Sequence, residues 1–276
     1  MLGLGIGVPK QAGAVDGLGC DPEEFNTTTN TKALHFDGTG DILTVSDEPE
    51  LSFSGTGDDD DLPFSVAVWV KRDASSSNDG ILHKGTGAAT NIEYRMYWAG
   101  NDRLYFDITD GEGIGITHYI RAEIINTSTD WQHLVFTYNG EVNQTTLTGD
   151  HMMIYINGIK QPILTGGNDS EGMTPGSADL IFGDIGSSYG DYYLNGEMCQ
   201  VIIWKNYELG LGEIQYLYAD GLAHRNPLLK ADCNYSVAAA AAVVLWLPLH
   251  ADLADDSGNS FDGTAGGDAA LNSSTV

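Results

Sequence analysis

Ala33-Leu34-His35-Phe36-Asp37-Gly38-Thr39-Gly40-Asp41-Ile42-Leu43-Thr44-Val45 and Tyr193-Leu194-Asn195-Gly196-Glu197-Met198-Cys199-Gln200-Val201-Ile202-Ile203-Trp204 decide the reading of this chain. They bound a stretch in which the hydrophobic period is that of strands. Between them, Phe64-Ser65-Val66-Ala67-Val68-Trp69-Val70 alternates β-branched or aromatic residues with small or polar ones, the pattern of a half-buried strand. Further strands are expected at 80–84, 94–98, 103–108, 118–125, 133–138, 152–156, 179–183 and 197–204. Asn-Asp-Gly at 78–80, Gly-Asn-Asp at 100–102 and Asn-Gly at 139–140 and 157–158 supply turns. Many short strands at regular spacing predict an all-β fold, an antiparallel sandwich or jelly roll. One short helix is expected near 212–219, with Gly221 as its stop.

The opening and closing segments also resemble the first and last strands of the laminin-G-like (concanavalin A-like) jelly roll. The more specific matches are Trp131-Gln132-His133-Leu134-Val135-Phe136-Thr137-Tyr138, the family's W-x-H strand, and Met153-Ile154-Tyr155-Ile156-Asn157-Gly158-Ile159, its Y-[IV]-[ND]-G hairpin. The resemblance covers Ala33 to Gly221 and implies a sandwich that binds or builds and rarely catalyses. It makes Trp131 and His133 structural residues at a sheet boundary.

The organisation expected is an N-terminal arm at 1–32, a jelly roll at 33–222 and a C-terminal segment at 223–276. That last segment holds a departure. Val243-Val244-Leu245-Trp246-Leu247-Pro248-Leu249, then Asp255-Asp256-Ser257-Gly258-Asn259, looks like the family's first strand and its D-x-S-G-N loop, displaced to the end of the domain. A permuted strand closing its own sheet, a strand exchanged with a neighbouring subunit and the start of a small subdomain all remain open.

Composition excludes some partners. A formal net charge of -27, with 39 acidic residues against 12 Lys and Arg, is unsuited to nucleic acid or anionic membranes. Asp58 to Asp61 is an acidic run expected to be a solvated loop that guards the next strand from edge pairing. The three cysteines, Cys20, Cys199 and Cys233, form neither a disulfide framework nor a zinc pattern, and Cys199 is expected to be a small buried hydrophobe. Met1 to Lys10 has no basic region before its apolar positions, so it is a poor signal peptide and synthesis in a host cytoplasm is expected. The apolar run Val237 to Leu249 is 13 residues and contains Pro248, whereas a membrane span needs about 20.

Few motifs carry chemistry. Gly186-Ser187-Ser188-Tyr189-Gly190 matches G-x-S-x-G, but a nucleophile elbow needs a helix after it and a turn and strand follow. Glu197 stands alone in its strand, so the two-carboxylate arrangement of a glycosidase is not visible. Calcium is the chemical hypothesis that remains. Asp37, Asp184, Asp191, Asp256 and Asn259 are oxygen donors in or beside glycine-rich loops, and the resemblance implies a structural calcium near the F-D-G strand and the S-G-N loop. Ordinary turn chemistry accounts for the same residues. Tyr189 and Tyr192, flanked by polar and glycine neighbours, are candidates for stacking on sugar rings, and Tyr94, Tyr97 and Trp98 share a strand.

The leading expectation is therefore a non-enzymatic structural and adhesive protein on the surface of a bacteriophage-like virion. It would decorate a capsid or fibre, fasten to virion subunits or to copies of itself through its arm or C-terminal strand, and bind host cell-surface glycans. The alternative is an extracellular, calcium-dependent carbohydrate-binding lectin module. A glycan-degrading enzyme is the weaker third reading. Neither nucleic acid nor membrane insertion is expected.

Overall fold

The computed structural model describes residues 32–55, 61–85, 92–109, 119–141, 151–168, 172–186, 192–218, 221, 226–228 and 235–273. In chain order the strands are β1 (Lys32–Asp37), β2 (Ile42–Val45), β3 (Phe64–Arg72), β4 (Asp79–Gly85), β5 (Ile92–Trp98), β6 (Arg103–Thr109), β7 (Tyr119–Ile125) and β8 (Gln132–Tyr138). There follow β9 (Met152–Ile156), β10 (Ile159–Lys160), β11 (Leu164–Asn168), β12 (Leu180–Phe182), β13 (Asn195–Lys205), β14 (Val243–Leu247), β15 (Thr264–Gly266) and β16 (Ala270–Ser273). Helix α1 spans Leu211–Tyr218 and α2 spans Val237–Ala241. These strands make two antiparallel sheets of eight. The first runs β10-β9-β8-β3-β13-β1-β16, with β14 also on β13; the second runs β11-β7-β6-β5-β4-β12-β2-β15. The fold is the antiparallel sandwich that the strand periods announce.

Alternation builds the core. Phe64, Val66 and Val68 of β3 meet Tyr94, Met96 and Trp98 of β5, and Leu104, Phe106 and Ile108 of β6, all buried between the sheets. Phe53 and Phe64 stack at 4.2 Å between centroids, and Phe64 lies 5.2 Å from Tyr94. Cys199 is buried among these apolar residues. The acidic run at 58–61 differs from expectation at its end. Asp61 is buried, because its carboxylate accepts the Tyr138 hydroxyl at 3.0 Å and the Met173 N–H at 2.8 Å.

A second apolar layer lies outside the first sheet. Ala67, Val135, Tyr155, Ile202 and Trp204 point away from the sandwich and are covered by Ile214 and Leu217 of α1, Ala239 of α2 and Tyr235. Glu213 ties this cover together. It accepts the Gly210 N–H at the start of α1, the Tyr207 hydroxyl and the hydroxyl of Ser236, which caps α2. On the same face Trp69 stacks against Tyr218 at 5.8 Å and packs against His133 at 5.2 Å. Burial pushes His133 down to about 3. It is a neutral core histidine.

The C-terminal strands pair within their own chain. β14 lies on β13 through Val201↔Leu247 to Trp204↔Val243, end to end with β1, which takes Asn195 to Met198. Gln200, at φ 50°, marks the junction; its N–H donates to Pro248 O, and its side chain accepts the Trp246 indole N–H at 3.0 Å. β15 then pairs β2 in the second sheet and β16 pairs β1 in the first. On the opposite side β10 and β11 likewise belong to different sheets. A connection that crosses between sheets therefore closes each flank. Among the described residues no helix is long and apolar enough to cross a membrane.

Candidate functional site

The outer face of the second sheet is polar and aromatic. In β5 the alternation that buries Tyr94, Met96 and Trp98 in the core turns Arg95 and Tyr97 outward. Register then lines up His83, Arg95, Asp107 and Arg121 across β4, β5, β6 and β7. Asp107 is fully buried. It receives the Arg95 Nε at 2.9 Å and Nη2 at 2.8 Å, and the Arg121 Nε at 2.5 Å and Nη2 at 2.7 Å. One carboxylate thus holds two guanidinium groups in place. His83 keeps its Nδ1 2.9 Å from Asp184 O, and burial holds the ring below its usual range, toward the neutral form.

The next register row is aromatic. Tyr97 lies opposite Tyr105, the rings stacked at 5.0 Å, with Arg95 over Tyr97 at 4.9 Å and Arg121 over Tyr105 at 4.5 Å. Tyr192 meets Tyr97 edge-on at 5.8 Å. Gly80 explains how Tyr192 gets there. Gly80 sits opposite Tyr97 and donates its N–H to Tyr192 O at 2.8 Å, where a Cβ would lie only 2.7 Å from that same oxygen and 2.5 Å from Asp184 C. Arg95 and Tyr97 are themselves buried, at 2% and 7% exposure, and Arg121 is partly exposed. Tyr105 and Tyr192 remain partly exposed. Beyond Tyr105, Arg103 pairs with Glu123 beside a cleft of about 270 Å³ that Ile125, Gln161, Pro162 and Leu164 also line.

A second group lies at the far flank. Carboxylate oxygens of Asp37, Asp41 and Asp268 fall within 4.8 Å of one another. The β1–β2 turn brings Asp37 and Asp41 together, and the turn between β15 and β16 brings Asp268. Asp41 is buried and accepts the backbone N–H of Asp37 at 2.9 Å and of Asp268 at 2.8 Å. Burial works to raise its carboxyl, and those two donors outweigh it and hold the group below the usual range. Asp268 is raised, through its hydrogen bond to Asp41 and the charges of Asp41 and Asp37. Gly267, at φ 70°, permits this contact, since a Cβ there would lie 2.5 Å from Asp41 Oδ1. Three carboxylates with lone pairs to spare are hard oxygen donors of the kind calcium takes.

The residues singled out from the sequence are dispersed. Asp37 belongs to the acidic group, while Asp41 and Asp268 were not singled out at all. Asp184 lies by His83 on the polar face. Asp256 donates its N–H to Trp246 O, and Asn259 donates its side-chain amide to Val244 O at 2.9 Å, so both serve the loop after β14. That loop is organised by Asp255, whose carboxylate accepts the N–H groups of Trp246, Ser257 and Phe261. Tyr192 joins Tyr97 on the polar face. Tyr189, Asp191 and the Gly186–Gly190 match fall wholly or partly outside the described residues. Arg95, Tyr105, Asp107 and Arg121 carry the face and went unrecognised; their one visible signal was the outward phase of β5.

Residues 37–215 match the family model described as the concanavalin A-like lectin/glucanases superfamily. Among solved structures, one similar chain is a Bacteroides ovatus protein provisionally described as carbohydrate binding, at 18% identity and a TM-score of 0.56, covering 89% of this chain and 60% of that one. This chain therefore spans about 60% of that protein's length. Another is domain 4 of an extracellular arabinanase from Geobacillus stearothermophilus, in complex with arabinotriose, at 17% identity and a TM-score of 0.43, covering 67% and 76%. A third is the heptameric SAP-like pentraxin of Limulus polyphemus, at 13% identity and a TM-score of 0.46, covering 71% and 86%. At these identities the likeness is one of fold. No curated protein matches the sequence.

Proposed function

We propose, on the premise that this chain belongs to the concanavalin A-like lectin/glucanase superfamily, that it is a non-catalytic glycan-binding module whose ligand lies on the outer face of the second sheet. The observation that carries this reading is the partly exposed pair Tyr105 and Tyr192, both in ring contact with the buried Tyr97, beside the Arg95–Asp107–Arg121 group. Tyrosine faces stack on the C–H faces of sugar rings, and the partly exposed Arg121 guanidinium can orient hydroxyl or carboxyl groups. The carbohydrate-related description of the Bacteroides ovatus structure agrees with it. A non-catalytic role is favoured by the engagement of Asp107, the buried carboxylate of this face, by two arginines.

Calcium is part of the proposal. Asp37, Asp41 and Asp268 would hold it, and it would neutralise their mutual repulsion and pin the β15–β16 turn to the β1–β2 turn. The setting, a virion surface or the extracellular space, is likewise proposed; the virion reading rests on the laminin-G-like resemblance together with the sequence's glycine-rich arm, poor signal-peptide pattern and lack of a catalytic motif. Rate-zonal sedimentation of native material tests it, since recovery only in slow soluble fractions removes the particle role. The binding itself is tested by a glycan array probed with the purified chain, with and without calcium. Glycan binding that Tyr105→Ala and Tyr192→Ala weaken is the expected result. Binding to no glycan overturns the reading.

A further inference from the structure

Away from the polar face, one end of the sandwich buries an amine among carboxyl groups. Lys84, in β4, is fully buried. Its Nζ lies 2.6 Å from Asp47 Oδ1, donates to Ala178 O at 2.6 Å, and lies 3.8 Å from Glu93 Oε1. Glu93, at the start of the adjacent β5, is buried as well. Its Oε1 accepts the Gly176 N–H at 2.9 Å and the Ser52 hydroxyl at 3.3 Å, while its Oε2 is buried with no hydrogen-bond partner among the described residues. Asp47 is itself fixed, because its N–H donates to Asp179 Oδ1. Phe53, Phe64 and Tyr94 pack close by, with the Tyr94 hydroxyl on Leu51 O.

This is a costly way to make an ion pair, since a buried ammonium loses its hydration and one carboxylate oxygen goes unsatisfied. It is a good way to make an amide. We infer that Lys84 and Asp47 form an intramolecular isopeptide bond, with Glu93 passing the protons. An amine and a carboxyl group held in contact react as if at very high concentration. Transfer of a proton from the buried Lys84 ammonium to the partly exposed Asp47 carboxylate gives a neutral amine and a carboxylic acid. The Nζ lone pair attacks Asp47 Cγ, and the C–O bond to the hydroxyl breaks. The hydroxyl leaves as water with a proton passed from the nitrogen by the Glu93 carboxyl group, whose Oε1 lies 3.8 Å from Nζ. Ammonium and carboxylate become one amide and one water, with no oxidant or cofactor. Burial raises the Glu93 carboxyl, which suits a group that must hold a proton and hand it on. The amide N–H keeps Ala178 O as its acceptor. The bond would join the segment after β2 to β4 and brace the sandwich against unfolding.

Intact-mass spectrometry of the denatured full chain tests this, in any expression host, because the reaction needs no partner. The expected mass falls below the sequence mass by one water, and proteolysis yields a branched peptide joining Asp47 to Lys84. Lys84→Arg is expected to hold its full sequence mass, as is Glu93→Gln. A wild-type chain at full mass overturns the inference, as does a water loss that maps elsewhere, and neither result depends on how the variants fold. A Glu93→Gln chain that still loses the water overturns the role given to Glu93.

Discussion

The outer faces of the two sheets follow the same alternation and come to opposite ends. On the first sheet Ala67, Ile202 and Trp204 point outward and are buried again beneath α1 and α2, so that face is a second core. On the second sheet the outward positions hold Arg95, Asp107, Arg121, Tyr97 and Tyr105, joined by ion pairs to Asp107 and by ring contacts. The apolar outer face lies beneath helices, whereas the polar one keeps Arg121 and Tyr105 partly exposed. The difference teaches where this sandwich stores stability and where it can receive a ligand.

The comparison is broken most directly at Trp204. Its indole N–H donates to the Tyr235 hydroxyl at 3.0 Å, and its ring fills the space beneath the helices. Trp204→Ala is expected to cost about 3–5 kcal/mol in denaturant unfolding with glycan binding retained in whatever fraction stays folded. Asp107→Ala should follow at about 3 kcal/mol, since it leaves Arg95 buried beside Arg121 without the carboxylate that both share. It should also abolish binding by releasing both arginines.

Acid sharpens the contrast. His133 is neutral in the folded chain at about 3 and ordinary when unfolded, so the unfolded state binds the extra proton. Its contribution to stability is present above about pH 6.5, the ordinary histidine value, and is lost as the pH falls from there toward 3. His83 acts in the same direction. Urea unfolding between pH 7 and pH 4 should therefore show a falling midpoint, and His133→Phe should flatten that fall if the ring still fits between Trp69 and Tyr218.

A smaller effect is expected at the acidic flank. Saturating calcium should raise the unfolding midpoint by an amount corresponding to about 3 kcal/mol at a hundredfold excess over Kd. Asp268→Asn should remove most of that gain while changing the metal-free chain little, because Asp268 is exposed. Equal midpoints with calcium and with chelator would remove the metal from the account.

Much of the fold was legible because period two and turn chemistry are local. The strand around Tyr94 to Trp98 and the helix through Gly212 to Tyr218 both stand close to where the pattern put them. The run from Val237 to Leu249 was harder. Its alanines form α2 under the Ser236 cap, and its β-branched and aromatic residues form β14 directly afterwards, so one apolar stretch holds two elements. The site was less legible because it is made by register. Arg95, Asp107 and Arg121 meet only once three strands pair in a particular alignment. Asp41 and Asp268 are 227 residues apart and meet only when the chain's end returns to its beginning. Tyr192 was visible through its exposed setting, while Tyr97 was obscured by the two core aromatics that flank it.

The central claim is that ligand binds the partly exposed tyrosine pair of the second sheet. Its most direct test is the affinity of the Tyr105→Ala, Tyr192→Ala double variant for whichever glycan the wild-type chain selects, measured by titration calorimetry beside a denaturation curve. A loss of tenfold or more, about 1.4 kcal/mol, is expected with the unfolding midpoint nearly unchanged. Wild-type affinity in that variant would contradict it and move the ligand off this face.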